Sequence, residues 1–266
     1  MIFNAFERMV ALRYLRARRE EGFVSVIAGF SLAGIALGVA TLIIVMSVMN
    51  GFRAELLDRI LGLNGHMGVY SLTNRPLTDF DRIATAISKL DGVDKVIPTV
   101  EGQVLVSANK VAAGAIVRGV RPSDIRKRQI IADNIRAGTL DNFKGKSSVI
   151  IGTRMAQKFG VRPGDSIRLV SPQSNATAFG SVPRSKRYKV VALFEVGMFE
   201  YDSGFVFMPL EGAQVYFQSK NAVTNIELFL DHPDRVASIC TEILRAAGMP
   251  LRLVDWQQAN ASFFNA

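Results

Sequence analysis

Residues 23–49 read FVSVIAGFSLAGIALGVATLIIVMSVM, and no charged residue occurs from Gly22 to Phe52. As an α-helix rising 1.5 Å per residue, the quoted run reaches about 40 Å, more than the roughly 30 Å of hydrocarbon in a bilayer. Lipid offers backbone N–H and C=O groups no partner, so a segment in that setting closes its own hydrogen bonds as a helix. A buried helix of a globular protein rarely runs so far without a charge. A cleaved signal peptide is the rival reading, but its apolar region spans about 7–15 residues and ends at a small-residue site. This run is longer and leads into Gly51-Phe52-Arg53. The pattern predicts a transmembrane helix over residues 23–52, a short basic segment before it (1–22) and a large folded domain after it (53–256).

Flanking charge predicts the orientation. Arg8, Arg13, Arg16, Arg18 and Arg19 precede the span, whereas Arg53 and Arg59 follow it in the company of Glu55 and Asp58. Lys and Arg near a span mark the cytoplasmic side, which places the N-terminus inside and the domain outside. In the first twenty residues Phe3, Phe6, Met9, Val10, Leu12 and Tyr14 interleave with the arginines. This suits an amphipathic lead-in lying among lipid headgroups; a solvated basic flank that only sets topology suits it equally. Within the span, Gly34 and Gly38 with Ala33 and Ala36 form a small-residue face of the kind that admits a second helix at close range.

The 266 residues are 49% hydrophobic, with mean hydropathy +0.22, net charge +9 and pI about 9.9. A basic balance fits nucleic acid, an anionic lipid surface or an acidic protein partner. The Lys and Arg residues read as scattered, and no zinc finger, RNP-like or helix-turn-helix pattern occurs, so nucleic acid is the weakest of the three. Cys240 is the only cysteine, which rules out an internal disulfide framework; it falls in the apolar helical pattern Val236, Ile239, Cys240, Ile243, Leu244 and reads as a core thiol.

Beyond the span, a helix continues over 53–65 and breaks at Gly62–Gly65. Strands are expected at Gly68–Leu72, Val93–Ser107, Ala115–Val120, Val149–Gly152, Ser166–Val170, Lys186–Glu195, Phe205–Met208, Asn225–Leu230 and Leu251–Asp255. Helices are expected at Asp79–Leu90, from Pro122, at Arg154–Phe159 with Thr153 as its cap, at Gly212–Phe217 and at Asp234–Ala247 with Asp234 as its cap. This mixture defines an α+β domain. The final stretch, residues 257–266, reads as the start of a second membrane helix.

Catalytic chemistry finds no support in the residue pattern. His66 and His232 are far apart, and there is no HExxH, paired cysteine or GxSxG. Gly145-Lys146-Ser147 resembles the end of a phosphate-binding loop, but the glycine required five positions earlier is Leu140. Carboxylate pairs such as Asp79 with Asp81 and Glu200 with Asp202 read as solvated surface. No metal or cofactor site and no enzymatic activity is expected. A membrane-anchored sensor would need a cytoplasmic output domain, which twenty residues cannot form.

One segment resists a bland reading. Ser171–Ser185 (SPQSNATAFGSVPRS) lies between two strands, has no acidic residue, and carries Pro172 and Pro183 near its ends with Phe179 and Gly180 in between. A hairpin loop this long is uncommon unless it is functional or disordered. Phe179 has nothing local to pack on, and Arg168, Arg184, Lys186 and Arg187 make the base cationic. The combination fits an acidic-rimmed partner with an apolar pocket; the competing reading is a flexible surface hairpin.

The stretch Ile35–Phe52, ending in SVMNGF, with Ala11–Arg16 before it and Leu61-Gly62-Leu63 after it, resembles the lipoprotein-releasing permeases of the LolC/LolE family, within the wider FtsX/MacB-type ABC transporters. The resemblance covers essentially the whole chain. It implies a MacB-like periplasmic core of two lobes. Thr177–Pro183 resembles the LolC hook, a hairpin that captures a soluble lipoprotein carrier of the LolA type, with Pro172, Phe179, Gly180 and Pro183 at the contact. The sequence has Ala178-Phe179 where the LolC pattern reads Pro-Met, and the chemistry remains apolar. The resemblance places a second carrier-contacting patch at the hook base, where Arg168, Lys186 and Arg187 lie. It also implies an inner-membrane assembly with a paralogous or identical permease subunit, helix packing through Gly34 and Gly38, and contact with membrane lipid. A separate cytoplasmic ATPase dimer would supply hydrolysis, and lipoproteins would pass from the membrane to the carrier. A permease of the same type that exports another substrate, or regulates a cell-wall hydrolase, is the alternative; such functions need no carrier-docking hairpin.

Overall fold

A computed structural model of the chain describes residues 5–15, 22–73, 75–177 and 180–259. The chain divides into two compact units, 1–57 and 58–266. The first holds α1 (Ala5–Leu15) and most of α2 (Gly22–Asn64). Every residue from Val26 to Phe52 is exposed, and the helix from Val26 is long and apolar enough to cross a membrane. Helix α1 forms within the expected basic lead-in. Arg16, Arg18 and Arg19 lie outside the described residues, as do residues 260–266 of the expected second membrane helix.

Helix α2 runs without a break to Asn64. Gly65 then takes φ +72°, the left-handed conformation in which glycine terminates helices. Its N–H donates to the Leu61 carbonyl at 3.0 Å, and His66 N–H donates to the Leu228 carbonyl at 2.7 Å, turning the chain into the first strand.

The second unit has two lobes. The first comprises β1 (Met67–Ser71), α3 (Phe80–Ile87), the first half of β2 (Val93–Ala108) and, much later in the chain, β9 (Asn225–Leu230), α9 (Val236–Ala247) and β10 (Leu251–Asp255). The strands pair in the order β10-β1-β9-β2, all antiparallel. This is the β-α-β-β-α-β arrangement of ferredoxin-like folds, split open between its second and third strands. Phe80, Ile83, Ala84 and Ile87 of α3 and Val236, Ile239, Ile243 and Ala247 of α9 are the buried faces, at the spacing of one helical side.

The second lobe fills that split. It contains β3 (Val111–Val120), α4 (Pro122–Lys127), α5 (Gln129–Ala132), β4 (Ile135–Gly138), β5 (Ser148–Gly152), α6 (Thr153–Phe159), β6 (Ser166–Thr177), β7 (Gly180–Phe194), α7 (Phe199–Gly204), β8 (Phe205–Pro209) and α8 (Leu210–Tyr216); α10 (Trp256–Ala259) follows the last strand of the first lobe. The second half of β2 pairs with β3, and the ladder continues β3-β8-β5-β7-β6 until β6 pairs back with β2. Six strands thus close a ring, with β4 appended to β7. Val106, Val117, Ile151, Leu169, Val190 and Val206 share its inner face by register and are fully buried. Gly119 lets α8 approach β3; a Cβ there would stand 2.1 Å from that of Ala213.

Several local expectations need correction. Gly152 occupies the N-cap position of α6, and the Thr153 hydroxyl is buried without a partner. The helix expected from Asp234 begins as a short 3-10 turn, Pro233–Arg235, with α9 proper starting at Val236. Cys240 is half-buried, its thiol bonded to the Val236 carbonyl at 3.0 Å.

The lobes and the end of α2 meet at a buried ionic cluster. Arg118 of β3 donates to the Leu63 carbonyl at 3.1 Å and to Glu101 of β2 at 2.8 Å. Arg128, fully buried, donates to the same Leu63 carbonyl and to Glu227 of β9. Burial alone would lower the Arg118 guanidinium; Glu227 and Glu101 outweigh it, and the net direction is upward. Breaking such a pair leaves an uncompensated buried charge. Arg128→Met should therefore destabilise the domain by about 3–5 kcal/mol, and Arg128→Met with Glu227→Leu should recover most of that loss. Urea unfolding followed by fluorescence of Trp256, the single tryptophan, measures both.

His66 Nδ1 accepts from the Leu230 N–H at 2.9 Å, which requires that nitrogen to carry no proton. Burial, the largest effect, holds the imidazole below its ordinary 6.5, and Lys95 adds to this against Asp94. A depressed histidine means the unfolded chain binds the proton more readily. This stabilisation is complete above the ordinary value and is lost as the pH falls from there through the lowered value of the folded state. Thermal melts between about pH 7 and 5 should show a fall in Tm that His66→Asn, whose carbonyl keeps an acceptor there, flattens.

Candidate functional site

The segment singled out between two strands is mostly strand itself. β6 and β7 pair from Ser166↔Lys189 to Val170↔Ser185, and again from Ser174↔Pro183 to Thr177↔Gly180. The expected long loop is thus a laddered hairpin, paired as far as Thr177 and Gly180. Phe179 lies outside the described residues. Between the two ladders Ser171, Pro172 and Gln173 oppose the single residue Arg184, a bulge. Proline has no N–H to donate, and a bulge is where a strand tolerates it. Pro183 is exposed on β7, and Gly180 opens that strand.

The hairpin base is built into the ring. Leu105, Val106 and Ser107 of β2 pair with Val170, Leu169 and Arg168. Arg184 donates to the Tyr216 carbonyl. Tyr188 and Tyr216 are buried beneath, their rings edge-to-face at 5.9 Å, and burial pushes the Tyr216 phenol up to about 12.

The three cations expected at the base separate. Arg168 and Arg187 are directly opposite across the β6–β7 ladder and exposed on its outer face. Lys186, one residue along, points to the other face, as successive strand residues must. It is half-buried, 5.1 Å from the Tyr188 ring, and its ammonium donates to the Lys146 carbonyl at 3.0 Å. Its place in the outer patch is taken by Lys110, at the β2–β3 turn, which lines a cavity of about 450 Å³ with Arg168, Arg187 and Ser107. That turn is held by Asn109, whose amide donates to the Phe159 carbonyl at 2.8 Å. Sequence reading missed Lys110; the Asn109-Lys110 pair between two apolar runs is the hairpin signal that could have found it.

Beside the base, an apolar cleft of about 690 Å³ is lined by Leu105, Ile116, Val170, Pro183 and Phe205, with Gln103 and Glu200 among its polar groups. Among the described residues no group of three or more His, Cys, Asp and Glu could hold a metal ion. Gly34 and Gly38 lie on α2 with open space around each, no atom standing within 4 Å of an added Cβ.

The second unit is a two-lobed α+β domain with an exposed cationic hairpin base, and the chain carries one helix long and apolar enough to cross a membrane. Residues 28–246 match the model of the family described as the MacB-like periplasmic core domain, and the chain belongs to that family. It is 33% identical over 267 residues to the lipoprotein-releasing system transmembrane protein LolC of Xylella fastidiosa strain Temecula1, covering 100% of this chain and 64% of that protein. It is 31% identical to LolC of Neisseria meningitidis serogroup B, covering 98% and 63%, and 26% identical to LolE of Haemophilus influenzae, covering 93% and 60%. The chain therefore spans just under two thirds of the length of these relatives. The periplasmic region of MacB from Actinobacillus actinomycetemcomitans has the same fold, with TM-score 0.51 at 12% identity, covering 80% of this chain and 99% of that one.

Like charges directly opposite on a sheet repel, and neither Arg168 nor Arg187 forms an ion pair with a described residue. Arg187→Glu should stabilise the domain by roughly 0.2–1 kcal/mol through a cross-strand pair with Arg168. Melts at low and high salt test this, and the gain should shrink at high salt.

Proposed function

We propose that this chain is the N-terminal part of a permease subunit of an ABC transporter that releases lipoproteins from the inner membrane to a soluble periplasmic carrier. The observation that carries the reading is the alignment of essentially the whole chain, at 31–33% identity, with proteins named for the lipoprotein-releasing system. The boundaries expected from the sequence suit this reading, with 1–22 cytoplasmic, 23–52 across the membrane and 53–256 periplasmic. Positive charge before the span supports that orientation. The subunit pairs with a second permease, paralogous or identical, through a helix face that includes Gly34 and Gly38. A cytoplasmic ATPase dimer hydrolyses ATP, and this subunit is not itself an enzyme.

In this reading the β6–β7 hairpin is the docking element. Its ladder stiffens a projection that would otherwise cost conformational entropy to order on binding. Phe179 supplies the apolar anchor at the tip, with Pro172, Gly180 and Pro183 shaping the approach. Arg168 and Arg187 meet carboxylates on the carrier, and Lys186 fixes the base. Isothermal titration of the detergent-solubilised chain with the organism's own lipoprotein carrier tests the assignment. Micromolar binding (about −8 kcal/mol) is expected for wild type, with Phe179→Glu and deletion of residues 174–181 both abolishing it. A folded wild-type chain that binds no carrier would contradict the hairpin's role and leave a permease with another cargo.

A further inference from the structure

Contrary to the scattered distribution expected from the whole chain, the basic residues are concentrated. Residues 142–194 contain ten Lys and Arg against one acidic residue, Asp165, which leaves twenty-two basic and twenty-two acidic residues elsewhere. The whole net charge of +9 thus resides in one stretch, which forms β5, α6 and the β6–β7 hairpin. A field of this kind, confined to one region, attracts an anionic partner.

Within that stretch, a groove of about 650 Å³ runs between the loop at 142–148 and β7. Its lining includes Lys144, Lys146 and Lys189, with Asn142, Ser147 and Pro163, and contains no Asp or Glu. All three lysines are exposed, and none forms an ion pair with a described residue. The hydrogen bonds from Arg126 and Thr139 hold the Asp141 carboxyl below its ordinary value, with Lys144 contributing least. The loop is stapled in place: Lys189 N–H donates to the Ser147 carbonyl at 2.8 Å, the Ser148 hydroxyl to the Lys144 carbonyl at 2.8 Å, and the Lys186 ammonium to the Lys146 carbonyl at 3.0 Å. The cations therefore stand on a fixed wall.

We propose that this groove is a docking site for an acidic segment of a protein partner, with Lys144, Lys146 and Lys189 receiving its carboxylates. The groove has room for roughly twenty waters at about 30 Å³ each, far more than one phosphate or carboxylate fills, so its size fits a length of chain. Lys189 shares the outer face of β7 with Arg187, two residues and about 7 Å away, which makes the groove continuous with the hairpin base. The lipoprotein-carrier reading supplies only the identity of the partner; the groove's chemistry stands without it.

The test uses the whole detergent-solubilised chain and a fluorescent oligoglutamate peptide, followed by anisotropy at low salt. Saturable binding is expected, weakened about tenfold in Lys144→Gln/Lys146→Gln/Lys189→Gln. The charge-matched control Lys89→Gln/Lys158→Gln/Lys220→Gln should change it less than about twofold. Absence of saturable binding, or equal loss in both triple variants, would overturn the site. So would binding of inorganic phosphate without binding of peptide, which would reassign the groove to a phosphate group. Peptide binding through these lysines in a chain that binds no carrier would keep the groove and remove the carrier. Carrier binding unaffected by the groove variant would keep the carrier on the hairpin and exclude it as the groove's occupant, with the peptide result still deciding the groove.

Discussion

The Leu63 carbonyl, at the end of the long helix, accepts hydrogen bonds from two buried arginines, and the architecture of the domain turns on that point. The last carbonyls of a helix lack partners within it and carry its negative dipole end. Arg118 and Arg128 satisfy the Leu63 carbonyl from the ring lobe, and Glu227 and Glu101 balance the arginines from the two strands that define the split lobe. One ionic cluster therefore joins the helix terminus to β2, β3, β9 and the junction of α4 with α5. Aromatic rings enclose it: Arg118 lies over Phe205 at 4.9 Å and Arg128 over Phe229 at 5.4 Å. Around it Arg59 donates to the Val196 carbonyl at 3.0 Å, in a loop whose N–H groups are held by the buried carboxylate of Asp202.

A fixed helix end gives the rest of the domain a frame. β2 passes from the split lobe into the ring, so its first half pairs with β9 and its second half with β3 and β6. The hairpin grows from that ring as a continuation of strands already paired at their base. Its cationic outer face and the apolar cleft beside it are carried on a closed ladder, and the lysine groove lies between that ladder and a loop pinned to it by hydrogen bonds. Rigid presentation is what a docking element needs, because little order remains to be imposed when the partner arrives.

Much of this was legible in the residues. The charge-free run from Gly22 to Phe52 announced the long helix, Val149–Gly152 announced a buried strand, and the apolar spacing of Phe80, Ile83, Ala84 and Ile87 marked the buried face of α3. What escaped depends on pairing across distance. Nothing local in Ser171–Thr177 says strand; it becomes one because β7 lies beside it, and Pro172 is accommodated only by the bulge. The pairing of Glu227 with Arg128 links residues ninety-nine positions apart, which no local pattern reveals. The separation of Lys186 from Arg168 and Arg187 follows from strand alternation once the register is known, and Lys110 joins the patch only through the β2–β3 turn.

Under the proposed function, the β6–β7 hairpin and its cationic base are the surface that meets the carrier. Hydrogen–deuterium exchange of the detergent-solubilised chain, with and without saturating carrier, tests it most directly. The account predicts new protection across residues 168–187, with the split lobe's α3 and α9 unchanged. Protection confined to the split lobe, with the hairpin exchanging as freely as before, would contradict it.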